Sequence, residues 1–245
     1  MIGIKINGLG KYYHVDGRRV EALKDFHMEV DAGSTVSVVG YSGCGKTTLL
    51  RLIAGIERPD EGMLGYTDAG GRDCECGRVG RVFQEPRLLP WFTVEKNIAL
   101  ALRHTVTDRN PSEVVTEILD LIGIRDFRHA YPDQLSGGMA QRVALGRALC
   151  RKPDLMLMDE PFGALAALTR RSLQKELAGI FINPAVTTVL VTHDVSEAVL
   201  LGDKVIVMKH GMKSREIIVP FDYPRDRSSA GFIRLRDEVL ETIFN

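Results

Sequence analysis

The sequence predicts an α/β protein: a parallel sheet built around a phosphate loop, an antiparallel β portion near the N-terminus, and an inserted helical lobe. Three observations carry this. The apolar run Val36–Val39 leads into the glycine-rich stretch Gly40–Thr48 and then into a helical pattern, Leu49–Ala54. Leu155–Met158 is a second continuous apolar run, ending in Asp159-Glu160, and such a run fits a strand buried on both faces. Between the two, residues Glu85–Leu149 turn helical in character.

The elements follow in order. Ile2, Ile4 and Ile6 alternate as in a half-buried strand, and a polar turn falls at Asp16-Gly17. Residues 25–30 and 34–39 read as strands joined through Asp31-Ala32-Gly33. The helix from Lys46 ends at Gly55, residues 57–77 read as turns with short strands, and Arg78–Phe83 is a strand ending at Gln84. Pro111 opens an amphipathic helix carrying Val114, Val115, Ile118, Leu119 and Ile122, stopped by Gly123. Leu165, Leu168, Leu173, Leu177 and Ile180 mark a further helix, Thr187–Thr192 a strand, and Val205–Met208 another. Asp194 and Glu197 have the spacing of a capping box for a helix over Val195–Leu201. A last helix starts near Ser229, with Phe232, Leu235, Val239 and Ile243 on one face.

Composition narrows the class. The chain has 245 residues, 44% apolar and 26% charged, the balance of a soluble globular protein. That length suits one large domain or a domain with a sub-lobe. Formal net charge is zero, so no global field draws nucleic acid, and none is expected as a partner. No apolar run approaches the roughly 20 residues that span a bilayer, and Met1–Lys5 has no secretory pattern, so the expectation is a cytosolic chain. The cysteines Cys44, Cys74, Cys76 and Cys150 are then expected as free thiols, and Cys74-x-Cys76 lacks two further ligands for zinc. Cys44 lies at a helix N-terminus, which predicts a lowered thiol pKa and a reactive group whose alkylation blocks the loop.

Gly40-Tyr41-Ser42-Gly43-Cys44-Gly45-Lys46-Thr47-Thr48 is G-x-x-x-x-G-K-[ST] in its strand–loop–helix setting. The glycines let backbone N–H groups approach an anion, the helix start adds its positive end, Lys46 supplies a charge for β/γ-phosphate oxygens, and the Thr47 hydroxyl suits Mg²⁺. This points to a nucleoside triphosphate. Asp159, at the carboxyl end of a buried strand, is placed to hold Mg²⁺, and Glu160 to act as general base on a water aimed at the γ-phosphate. Leu135-Ser136-Gly137-Gly138-Met139 opens a second helix and forms a second anion-binding device. Two such helix ends in one chain suggest that the second serves another subunit's nucleotide.

With these motifs the sequence resembles the nucleotide-binding subunits of ABC transporters, over nearly its whole length and in the family's motif order. The resemblance implies a RecA-like core at residues 1–85 and 152–245, with a helical lobe at 86–151. It makes Gly40–Thr48 the Walker A loop and Gln84 the glutamine sensing Mg²⁺ and the attacking water. Leu135–Met139 with Ala140-Gln141-Arg142 becomes the signature sequence, in which Ser136, Gly137 and Gly138 complete the partner's site. Asp159-Glu160 becomes Walker B with the catalytic Glu, and His193 the switch histidine at the γ-phosphate. Tyr13 matches the aromatic that stacks on adenine, with Tyr12 as its alternative.

Arg87-Leu88-Leu89-Pro90-Trp91, Met139, Pro161–Leu165 and Arg215–Ile218 are similar to subunits of nitrate, sulfonate and taurine importers. The resemblance thus implies ATP and Mg²⁺, a second ATPase subunit, two transmembrane permease subunits, an extracytoplasmic binding protein, and a peripheral place on the cytoplasmic face of the membrane. Trp91, the only Trp, has two readings: packing between lobes, or contact with a partner. Two residues depart from the family pattern. Met139 replaces a common Gln, and Ala166 stands where an Asp helps couple the two ATP sites, which predicts hydrolysis with weaker communication between sites. The rival readings are an exporter or lipid-transport ATPase, a soluble non-transport ATPase of the same family, and a regulatory subunit without turnover.

Overall fold

The computed structural model describes residues 1–103, 109–163, 165–166, 170–171, 174 and 186–245. Strands β1 (Gly3–Val15) and β2 (Arg18–Val30) form a long antiparallel ribbon closed by Asp16 and Gly17, both at positive φ. That two-residue geometry matches the right-handed twist of the flanking strands. β4 (Glu61–Thr67) pairs with β1, and β5 (Asp73–Cys74) with β4, giving the order β2-β1-β4-β5. The ribbon is longer than the sequence pattern predicts. Beyond Leu9 its side chains are polar and largely exposed, so burial leaves no alternation to read there.

The second sheet has the order β10-β9-β3-β8-β7-β6. β3 (Thr35–Val39), β6 (Val79–Val82), β7 (Leu155–Asp159), β8 (Thr187–Thr192) and β9 (Lys204–Lys209) are parallel, and β10 (Met212–Ile218) is an antiparallel edge. The expected strands at Thr187–Thr192 and around Val205–Met208 are present. β10 escapes the pattern because Lys213, Arg215 and Glu216 break its apolar run, as is common on an edge strand.

α1 (Lys46–Ile53) lies between the two sheets. Its Leu49, Leu52 and Ile53 pack with Ile4, Leu9 and Phe26 on one side and Val36, Leu157 and Val191 on the other. On the opposite face, Met156, Met158, Leu190 and Val207 pack against α5 (Val195–Leu201) and α6 (Ala230–Phe244) through Ala198, Val199, Phe232 and Val239. Alternate residues of one strand therefore serve two cores, which is why these strands read as unbroken apolar runs.

Between β6 and β7 the described residues hold only helical elements: α2 (Val94–Ala99), α3 (Pro111–Leu121), α4 (Gly137–Leu149) and short 3₁₀ turns. They share an apolar cluster that includes Val94, Ile98, Val115, Leu119, Ile122 and Val143. α3 starts at Pro111 under an Asn110 cap and stops before Gly123 at φ 65°, as its sequence predicts. The helix expected from Leu165 to Ile180 falls mostly outside the described residues. No helix among the described residues is long and apolar enough to cross a membrane.

Candidate nucleotide-binding site

β3 ends at Val39, and the loop Gly40–Gly45 carries the chain into α1, with Gly45 at φ 105° as the helix cap. Lys46 is buried, and its Nζ donates to the carbonyls of Gly40 (2.8 Å) and Tyr41 (2.9 Å). The ammonium is thus held over the loop rather than released to solvent. Thr47 and Thr48 follow in the first turn, where the N–H groups of α1 have no intrahelical acceptor.

A cleft of about 330 Å³ opens here, lined by Ser42, Gly43, Gly45, Lys46, Thr47, Thr48 and Glu160, with Tyr13, Val20, Glu21 and Ala22 closing one side. Tyr13 faces this cleft, and its hydroxyl donates to Glu57. Tyr12 is covered by the Arg19 guanidinium, 3.6 Å from its ring centre. Lys11 Nζ stands 5.7 Å from the Tyr13 ring centre, and of the two tyrosines it is Tyr13 that lines the cleft.

The acidic pair stands at the end of β7, separated from β3 by β8. The Thr47 hydroxyl donates to Asp159 Oδ1 at 3.3 Å. Burial pushes the Asp159 carboxyl up, and the adjacent Glu160 pushes the same way. A hydroxyl and a partly buried carboxylate make a donor set suited to a hard dication, whose charge would offset that cost. Glu160 Oε2 lies 3.0 Å from His193 Nδ1. A β-carbon on Gly163 would stand 3.3 Å from Gln84 Nε2 and 3.4 Å from Glu160 Oε2, so Gln84, Glu160 and His193 converge on one side of the acidic strand end. Glu160 sits at φ 45°, a strained conformation for a non-glycine residue.

Ser136 caps α4, its Oγ accepting from the Met139 N–H at 3.3 Å. Ser136 and Gly137 are exposed and Gly138 is buried, and none of them lines the cleft beside Lys46. Within one chain the two anion-binding helix ends are therefore separate. Met139 turns onto the helical-lobe cluster.

Two sequence expectations are corrected. The Cys44 thiol points into the core, 3.9 Å from Lys46 Nζ, and burial raises its pKa despite that cation. Desolvation outweighs the helix end, and the Cys44 side chain joins the packing. The Asp194–Glu197 box is only half formed. Asp194 Oδ1 accepts from the Glu197 N–H at 3.1 Å, but the Glu197 side chain turns inward to accept from the Thr192 hydroxyl at 3.0 Å.

Glu197 is 2% exposed, and burial pushes its carboxyl up to about 8. Its Oε1 has no hydrogen-bond partner among the described residues. The folded chain keeps this carboxyl protonated at neutral pH while the unfolded chain ionises it near 4.5, so stability is fully present at acid pH and is lost as pH rises toward 8. At ~1.4 kcal/mol per pK unit, wild-type unfolding free energy should fall by about 3 to 4 kcal/mol from this group between pH 5 and pH 8. Glu197→Gln should flatten that fall in denaturant titrations; an unchanged pH dependence would place the ionisation elsewhere.

The motif search missed a basic pocket of about 100 Å³ behind Asp159, lined in part by Arg51, Arg81 and Arg87. The last two guanidiniums stack on Phe83 at 4.6 and 4.2 Å from its ring centre. Arg51 reaches the pocket from α1, and the pairing of β6 with β7 brings Arg81 beside it.

A glycine loop closing on a helix, an acidic pair at the end of the parallel strand two places along and a histidine facing the second acid define a phosphate-loop nucleotide site in an α/β sheet. Residues 23–163 match the family described as ABC transporter, and this chain belongs to that family. It is 39% identical over 240 residues, 97% of its length and 94% of the relative's, to the aliphatic sulfonates import ATP-binding protein SsuB of Bacillus cereus. It is 45% identical over 231 residues, 92% of its length and 34% of the relative's, to the nitrate import ATP-binding protein NrtC of Synechococcus elongatus. Among solved structures, the dimeric post-hydrolysis state of the ATP-binding cassette MJ0796 bound to ADP and Pi superposes with a TM-score of 0.76 at 29% identity, covering 89% of this chain and all of that one. The cassette MJ0796 in another dimeric structure gives 0.75 at 30% identity. The chain is thus an ABC ATPase domain of the transporter ATP-binding class.

Proposed function

We propose that this chain is the ATP-hydrolysing motor of an importer for a small anion, of which nitrate, a sulfonate and taurine are the best candidates. The observation that carries it is the full-length similarity to import subunits, joined to a site with Lys46, Thr47, Gln84, Asp159, Glu160 and His193 all in place. ATP lies along Gly40, Ser42, Gly43, Cys44 and Gly45, with its phosphates toward Lys46, Thr47 and Thr48 and its base on Tyr13. Thr47, Asp159 and Gln84 would hold Mg²⁺, which would neutralise phosphate charge. Glu160 takes the proton of the attacking water, the bond from γ-phosphorus to the bridging oxygen breaks, and ADP and phosphate result. His193, held against Glu160, faces the same γ-phosphate. Ser136, Gly137 and Gly138 of a second copy close the site from the other side. Their separation from Lys46 within one chain supports this reading, as does the dimeric state of the similar cassettes.

The permease pair docks beside Gln84 and the helical lobe, at the cytoplasmic face of the membrane, and an extracytoplasmic protein delivers the solute. Trp91 supports this. It is 66% exposed rather than packed between lobes, with Phe92 edge-on at 6.4 Å. Beneath it the buried Asn97 accepts from the Leu89 N–H and donates to the carbonyls of Leu89, Phe92 and Thr93, so the loop presenting the indole is fixed from below. A rigid exposed Trp is the usual anchor of an interface. Co-purification with the permease and the binding protein, followed by identification of the bound solute, tests the assignment. Trp91→Ala should weaken capture of the permease by about 30-fold or more while leaving ATP turnover of the isolated subunit unchanged. Undiminished capture would move the docking surface elsewhere.

A further inference from the structure

We infer that Arg170 is a positioning residue: it ties the segment that follows Glu160 to the residue that follows His193, and so sets the contact between the Glu160 carboxylate and the His193 imidazole. This rests on the reading of Glu160 and His193 as the hydrolytic pair.

The two partners arrive on different segments. Glu160 follows β7, its N–H donating to the Val191 carbonyl at 2.8 Å, and its own carbonyl accepts from the Gly163 N–H at 3.0 Å. His193 leaves β8 between Thr192 and Asp194. Strand pairing aligns the ends of β7 and β8, but beyond those ends no ladder bond continues.

Arg170 bridges this gap. Its Nη2 donates to the carbonyls of Leu165 at 3.1 Å and Gly163 at 3.5 Å, and its Nη1 faces Asp194 Oδ2 at 3.6 Å. Its own N–H donates to the Ala166 carbonyl at 2.9 Å, which fixes the base of the side chain to the same segment.

Asp194 is held on its other side as well. Its Oδ1 accepts from the Glu197 N–H, and its own N–H donates to the Thr192 hydroxyl at 3.0 Å. That hydroxyl in turn donates to Glu197. The residues on both sides of His193 are therefore anchored, and Arg170 joins that anchor to the Glu160 segment.

The ion pair by itself is a weak reason for the arrangement, because a partly exposed pair at 3.6 Å contributes little. The carbonyl contacts decide the point. Glu160 keeps a left-handed backbone at φ 45°, and such strain persists only where the surroundings over-determine it. Among the described residues, Arg170 is a side chain that holds the carbonyls of this turn. It does so although its Nε is buried without a partner among the described residues, an arrangement that costs stability.

The test uses the chain as it stands and four variants, Arg170→Ala, Asp194→Asn, His193→Ala and the double variant Arg170→Ala/His193→Ala. Single-turnover phosphate release is followed over hours, alongside KM for MgATP and the melting temperature. Asp194→Asn keeps the cap on α5 but removes the charge that Arg170 faces, so it carries the test if Arg170→Ala does not fold.

The expected result is a fall in kcat of about tenfold or more for Arg170→Ala, with KM and melting temperature nearly unchanged. In a His193→Ala background the same substitution should cost less than about twofold, because the residue acts through that contact. Equal losses in both backgrounds, or a change in KM and melting temperature with kcat intact, would overturn the inference. Wild-type turnover in His193→Ala would instead remove the hydrolytic reading on which it rests. Loss of turnover in His193→Ala together with full turnover in Arg170→Ala and Asp194→Asn would remove the positioning role alone.

Discussion

Glu160→Gln lowers ATP turnover by about two to four orders of magnitude while ATP still binds. The substitution keeps the size of the side chain and an oxygen that can meet His193, which now stands 3.0 Å from Oε2. It removes the property that the proposed mechanism asks of that group, the capacity to accept a proton from the attacking water. The phosphate cradle is built from other residues: the loop amides, Lys46 and Thr47, none of which depends on the charge at position 160. Phosphate release and equilibrium ATP binding, measured on the same preparation, separate the two effects. Turnover retained above about a tenth of wild type would exclude Glu160 as the base.

Gly45→Ala is expected to abolish nucleotide binding by a different route. Gly45 sits at φ 105°, where a side chain is strained whatever space surrounds it. The space is also missing. An added β-carbon would stand 2.1 Å from the Ala22 carbonyl oxygen and 2.8 Å from Met208 Cε. Met208 is flexible and could give way, but the Ala22 carbonyl belongs to β2, which is fixed by its pairing with β1. The loop, and the start of α1 with Lys46 and Thr47, must then move off the position that faces the phosphates. A penalty of roughly 3 kcal/mol or more corresponds to a loss of about 100-fold in ATP affinity. Gly43→Ala makes an internal comparison: its φ is 80°, but nothing lies within 4 Å of the added carbon, so its loss should be smaller. Equal effects of the two substitutions, read by equilibrium ATP binding, would show that backbone strain and not the contact with β2 decides the matter.

What could be read from the sequence follows a physical division. The phosphate loop, the acidic strand end and the helix cap at Ser136 are local in sequence, and their spacing carries the geometry. The strand at Thr187–Thr192 and the helix at Val195–Leu201 were legible because burial imposes a pattern on every residue. The outer half of the β1–β2 ribbon and the edge strand β10 were not, because solvent on one side leaves polar residues free to vary. The errors at Cys44 and Glu197 share a cause. Each side chain lies next to a helix start, where local rules predict an outward polar role, and in each the tertiary surroundings turned it into the core. Arg170 lies too far from Asp194 along the chain for any spacing rule to join them, and Gly163 and Leu165 offer only main-chain carbonyls, which leave no mark on the sequence.

The order of strands in the large sheet has a consequence for the making of the protein. β3, which carries the phosphate loop at its end, is flanked by β8 and β9, both from the last quarter of the chain. At synthesis rates of about 5–20 residues per second, the loop waits roughly ten to thirty seconds for the strands that complete its sheet. The antiparallel ribbon, with its near-neighbour pairings, can form during that interval, whereas the parallel core cannot. An unfinished chain therefore carries the whole Gly40–Thr48 motif without the support that shapes it. The sheet that shapes the loop is thus completed late, only after β8 and β9 have been made.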